Sequence, residues 1–173
     1  MRLDKLEKSI RSIPDFPKKG ILFRDITTLL SDKKAHKKAI DDLIKMLKGK
    51  KIDYIVAAES RGFIFGGTLA YKLNCGFIPV RKPGKLPAKT YRYTYSLEYG
   101  KDSLEIHKDA FPSNSRILIL DDLLATGGTT LALINLVKKL KGKISAIAFL
   151  IELTGLGGRK RLKKYPVYSL IKY

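Results

Sequence analysis

The chain has 173 residues, 45% of them hydrophobic, which suits one globular domain with a sizeable core and excludes a disordered segment. It has no long apolar run or secretory leader, and Met1 to Arg11 is charged throughout, so no membrane span is expected and the cytoplasm is the expected location. The formal charge of +19 raises nucleic acid as a partner, but the lysines are spread over separate segments without a helix-turn-helix or stacking-aromatic motif. Specific nucleic-acid recognition is therefore not expected, whereas weak, salt-sensitive adhesion to polyanions is. Cys75 is single, and His36 and His107 lie far apart, so neither a disulfide framework nor a zinc-ligand spacing exists.

In chain order, Leu3, Leu6 and Ile10 are spaced as one apolar side of a short helix that Pro14 and Pro17 end. The next stretch, through Thr28, holds too many turn formers for a regular core element. Yet Phe16, Ile21, Leu22, Phe23 and Ile26 are too apolar for an idle solvent loop. Two uses fit it: an apolar cover over a site, or an arm packed against the core. The spacing then predicts an amphipathic helix over Asp32 to Leu47, with Ala35, Ala39, Leu43, Ile44 and Leu47 inward. Ile52 to Ala58 has the composition of a buried strand; it runs into the polar turn Glu59-Ser60-Arg61-Gly62 and an apolar helix from Phe63 to Leu73. Gly76 to Arg81 is a further strand. The basic loop Arg81 to Pro87, broken by turn residues, serves either solvation or closure over phosphates. Tyr91, Tyr93 and Tyr95 alternate as in a β-ribbon whose turn holds Glu98 to Asp102, a candidate flap over residues 81–106.

Arg116 to Thr130, RILILDDLLATGGTT, organises the rest. Ile117 to Leu120 reads as a strand buried on both faces, the acids Asp121 and Asp122 follow, and small and hydroxyl residues open a helix from Leu131 to Leu140. Free N–H groups and the positive end of a helix dipole suit a phosphate. Gly127 and Gly128 let the backbone approach it, and Thr126, Thr129 and Thr130 add hydroxyl donors. The two carboxylates would repel phosphate and suit sugar hydroxyls or a hydrated cation. The implied ligand is a sugar phosphate; the alternative is a buried strand–helix unit whose acids merely cap the helix. Two polar turns at the ends of parallel strands would face one crevice, where Arg61 offers a planar fork for a diphosphate. Ile144 to Ile151 is another strand, Gly155 to Arg161 a turn into a basic helix, and Val167 to Ile171 a last strand.

The stretch DDLLATGGT resembles the phosphoribosyl-pyrophosphate (PRPP) binding motif of the type I phosphoribosyltransferases, its wording being similar to that of the adenine-using branch. Further similarity runs through PDFPKKGILFRDIT, AAESRGFIFG, RKPGKLP, YSLEYG and IELTGLGGR, covering nearly the whole chain. The resemblance implies an α/β fold: a mainly parallel sheet of about five strands flanked by helices, a small hood involving residues 1–30, and a β-ribbon flap. It implies purine salvage, in which adenine and PRPP give AMP and pyrophosphate with Mg²⁺, by a homodimer without nucleic-acid or membrane partners. The alternatives are another purine, such as xanthine or hypoxanthine, or a PRPP sensor without catalysis.

Carried over by position, the resemblance assigns Asp121, Asp122, Ala125, Thr126, Gly127, Gly128 and Thr129 to the ribose and 5-phosphate. Glu59, Ser60, Arg61, Arg81, Lys82 and Lys85 go to pyrophosphate, and Leu22, Arg24 and Leu153 to adenine, although Leu153 reads equally as core. Mg²⁺ would be held mainly by PRPP and water, with no direct protein ligand. Relatives that use hypoxanthine, guanine or orotate commonly carry an acid in the PRPP loop where this chain has Ala125. The acid that manages the purine proton is then expected to be Glu98, with Arg61 as the other catalytic residue.

Overall fold

The computed structural model describes residues 6–97 and 100–173, with backbone alone at 96–97 and 100–101. Leu6 and Ile10 are buried as their spacing predicts, and Leu3 lies outside the described residues. The chain then departs from the expected loop. Strand β1 (Arg11–Ile13) pairs antiparallel with β2 (Phe23–Asp25), Ser12 opposite Arg24, and a short helix α1 (Thr27–Ser31) follows. The Asp25 carboxylate joins these pieces: it accepts from the Thr27 backbone N–H and hydroxyl, both at 2.9 Å, and from the Arg11 guanidinium at 3.0 and 2.5 Å. Those hydrogen bonds hold its carboxyl down to about 2. The Arg11 contact spans 14 residues, and no local periodicity encodes it.

Helix α2 (Lys33–Met46) starts at Asp32, whose side chain accepts from the N–H groups of Lys34 and Ala35, and it buries Ala35, Ala39, Ile40 and Leu43. Next come β3 (Tyr54–Ala58), α3 (Arg61–Leu73) and β4 (Gly76–Val80), then an antiparallel ribbon of β5 (Thr90–Leu97) and β6 (Gly100–His107). Strand β7 (Arg116–Leu124), helix α4 (Gly128–Lys139) and strand β8 (Lys143–Glu152) lead to a 3₁₀ turn (Thr154–Leu156). The expected basic helix shrinks to one turn, α5 (Gly158–Arg161), before β9 (Val167–Lys172). The glycines here favour turns over a longer helix, Gly157 standing at φ 68°.

The sheet has five strands in the order β4-β3-β7-β8-β9, all parallel. Along central β7, Leu118 and Leu120 join the core beneath α2 and α3, while Ile117 and Ile119 join the one beneath α4 and the ribbon. All four are fully buried, as a strand covered on both faces requires. The sequence reading ends this strand at Leu120. It runs on to Leu124 because β8 continues to pair with it, Asp121 opposite Phe149 and Leu123 opposite Ile151. The chain turns outward in opposite directions from β3 and β7, so the crevice at their carboxyl ends is the topological switch point where such sheets take ligands. No helix among the described residues is long and apolar enough to cross a membrane.

Candidate active site

Beyond β7, the chain turns through Ala125 and Thr126 to Gly127, whose left-handed φ of 82° a side chain would oppose, and enters α4. No side chain caps this helix, and its first ladder bond runs from Leu131 N–H to the Gly127 carbonyl at 3.0 Å. The N–H groups of Thr126 to Thr130 have no protein acceptor among the described residues. The positive end of a 12-residue helix therefore opens on the crevice, a ready anion site.

At the end of β7, Asp121 is half-buried and Asp122 is buried. Arg61 Nε stands 2.8 Å from Asp122 Oδ2, yet among the described residues that oxygen receives no hydrogen bond. Burial raises both carboxyls above the usual carboxylate range; repulsion from Asp122 adds to the rise at Asp121, and the Arg61 guanidinium opposes it at both. A buried carboxylate oxygen with spare acceptor capacity suits a ligand hydroxyl or a hydrated cation.

The second turn faces the first. The Glu59–Ser60 peptide is cis, and α3 begins at Arg61 without a side-chain cap. A Cβ on Gly62 would stand 3.1 Å from Asp121 Oδ1, so the glycine is what lets this turn and the acid approach. The Arg61 guanidinium also lies 5.2 Å from the centre of the Phe23 ring. The result is a cavity of about 500 Å³ lined by Glu59, Ser60, Arg61, Asp121, Asp122, Ala125, Thr126, Gly127, Gly128 and Thr129. All ten are residues named from the sequence. Phe23, from the apolar stretch expected either to cover a site or to pack as an arm, lines it too, with Thr130. Ala58 and Leu123 were not foreseen; they are the strand-end neighbours of the two turns, and only the pairing of β3 with β7 brings them in.

Other expected residues stand outside this lining. Arg81 binds Glu59 Oε2 through Nε and Nη2 at 3.2 and 3.0 Å, and the Lys82 N–H reaches Glu59 Oε1 at 2.5 Å. Glu59 thus fastens the basic loop to the cavity rim. Arg81 Nη1 also donates to the Lys85 carbonyl, and the Lys82 ammonium lies 3.6 Å from Asp102 on the ribbon. Leu22 is 48% exposed. Arg24 donates to Ser12 Oγ at 2.6 Å and stacks 3.6 Å over the Tyr173 ring, joining the amino-terminal ribbon to the carboxyl end as a hood. Leu153 packs partly buried against the core, its N–H on the Leu124 carbonyl at 2.9 Å. Glu98 lies outside the described residues.

The family model of the phosphoribosyl transferase domain matches residues 27–172. The adenine phosphoribosyltransferase of Brachyspira hyodysenteriae is 61% identical over 168 residues, 97% of this chain and 99% of that protein. The chain belongs to the adenine phosphoribosyltransferases, within the phosphoribosyltransferase family. Solved structures agree. The adenine phosphoribosyltransferase of Thermoanaerobacter pseudethanolicus superposes with a TM-score of 0.97 at 57% identity, covering 99% of this chain and 100% of that one. The Saccharomyces cerevisiae enzyme, complexed with an imino-altritol bisphosphate and adenine, gives 0.91 at 42% identity, covering 97% of each. The parallel sheet, hood and ribbon are those of the type I fold.

Proposed function

We propose that the chain acts as one domain over residues 1–173, joining adenine to the ribosyl carbon of PRPP and releasing pyrophosphate and AMP. The observation that carries this reading is the pair of open helix N-termini facing one cavity across two carboxylates, in a chain similar to adenine phosphoribosyltransferases over nearly its full length. The N–H groups and hydroxyls of Thr126 to Thr129 hold the 5-phosphate. Asp121 and Asp122 hold the ribose hydroxyls and favour the positive charge that develops on the sugar as pyrophosphate departs. Arg61, with the N–H groups of Ser60 to Gly62, holds the leaving diphosphate, and Arg81, Lys82 and Lys85 close over it from the rim.

Leu22, Arg24, Phe23 and Leu153 form the hood side of the base site, and Glu98 on the flap manages the purine proton. The spare oxygen of Asp122 fits a hydrated Mg²⁺. Among the described residues, however, no group of three or more His, Cys, Asp or Glu side chains could hold a metal, so PRPP oxygens and water would supply most ligands. The bound ion would neutralise charge on the diphosphate. A homodimer in the cytoplasm is the proposed working form.

Pyrophosphate release from PRPP and Mg²⁺, with adenine, hypoxanthine, guanine and xanthine offered separately, tests the reading. Release with adenine alone, together with AMP, is the expected result; PRPP binding without release from any base would favour a sensor. Glu98→Gln is expected to lower turnover at saturating substrate by roughly 10²-fold, and full turnover would remove Glu98 from the mechanism.

A further inference from the structure

We infer that the turn at 157–161, on the opposite side of the phosphate loop from the cavity, is what aims that loop's N–H groups, with Gly158 and Arg161 as positioning residues for the 5-phosphate. The inference rests on the reading of Thr126 to Thr129 as the phosphate site. Two successive carbonyls of the loop face the turn. A Cβ on Gly158 would fall 2.2 Å from the Ala125 oxygen, so that carbonyl lies directly against the turn. The next carbonyl, of Thr126, accepts from Arg161 Nη1 at 3.1 Å. In a trans peptide the C=O and the following N–H point in opposite directions. Directing the Ala125 and Thr126 oxygens at the turn therefore directs the N–H groups of Thr126 and Gly127 away from it, toward the cavity both residues line.

The turn is itself held firmly. Arg159 donates to both carboxylate oxygens of Glu152, at 2.8 and 2.5 Å, to the Val167 carbonyl at 2.9 Å and to Ser169 Oγ at 3.0 Å. Glu152 is 3% exposed and Leu162 fully buried, so β8 and β9 carry the turn as a fixed support. Close approach on the loop side needs glycine as well: a Cβ on Gly127 would stand 3.3 Å from the Gly158 carbonyl. Lys160 belongs to the same turn and has no hydrogen bond to the loop, which makes it the natural charge control.

The test measures the PRPP dissociation constant in the presence of Mg²⁺ by calorimetry, so that it reads the phosphate site whether or not adenine is turned over. Arg161→Met is expected to weaken PRPP by about five-fold, the worth of one hydrogen bond, with the melting temperature lowered by no more than about 4 °C. Arg161→Lys restores part of the loss, and Lys160→Met, with the same change in charge, leaves PRPP affinity near the wild-type value. Gly158→Ala, which pushes the Ala125 carbonyl, weakens PRPP by at least as much as Arg161→Met. Undiminished affinity in Arg161→Met, or an equal loss in Lys160→Met, overturns the inference. A wild-type protein that binds PRPP yet releases no pyrophosphate with adenine would remove the proposed activity while leaving this test intact.

Discussion

Asp121 shows how the site sets function against stability. Its carboxyl is raised by burial and by Asp122, so the folded chain holds that proton more tightly than the unfolded one. Below the ordinary carboxylate range both forms are protonated and nothing is lost; as pH rises through the raised value, the folded state loses stability. Asp121→Asn is therefore expected to stabilise the ligand-free protein at pH above the raised value and by almost nothing near pH 4, while abolishing most turnover. Thermal unfolding across that pH range checks it, and a gain that does not grow with pH would contradict the assignment. Gly62 works at the same scale. A Cβ there would meet Asp121 Oδ1 at 3.1 Å, so Gly62→Ala is expected to displace the acid and lower kcat/KM for PRPP roughly ten-fold, at an apparent cost of about 1.4 kcal/mol.

At the scale of elements, the hood depends on the tie from Asp25 to Arg11 and Thr27. That carboxyl lies at about 2, so its contribution is present above the unfolded value and is lost only as pH falls through about 2. Asp25→Asn should lower the melting temperature by about 3 to 6 °C at neutral pH and flatten the acid limb of the stability profile, with PRPP affinity little changed. Circular dichroism during acid titration reports both. The same ribbon marks the limit of reading from sequence. Strands and helices of the sheet were legible because Ile117 to Leu120, Ala35 to Leu43 and Ile144 to Ile151 carry the periodicity of burial. Strands of three residues do not, and the Arg11–Asp25 contact that creates them is non-local. Both polar turns were legible from composition; the Glu59 fastening of Arg81 and Lys82 was not, because residues 22 and 23 positions apart meet only through the pairing of β3 with β4.

For the whole molecule, the charge of +19 sets the surface. The buried Asp25, Asp42, Glu105, Asp122 and Glu152 each pair with an Arg or Lys, which leaves most of the other lysines facing solvent. Retention on heparin that falls steeply with salt is expected, and KM for PRPP should rise with ionic strength because the field that attracts a polyanion is screened. Retention that ignores salt would count against a purely electrostatic surface. Inside the cavity the charge is ordered. Helix α4 presents its positive end at one extreme, the two acids lie in the middle, and Arg61 with the start of α3 stands at the other. That order describes the ideal inhibitor: a small ring bearing a protonated amine, with an anionic group at each end. Such a compound should bind more tightly as pH rises above the ordinary carboxylate range, because the raised acids must give up their proton to receive the amine.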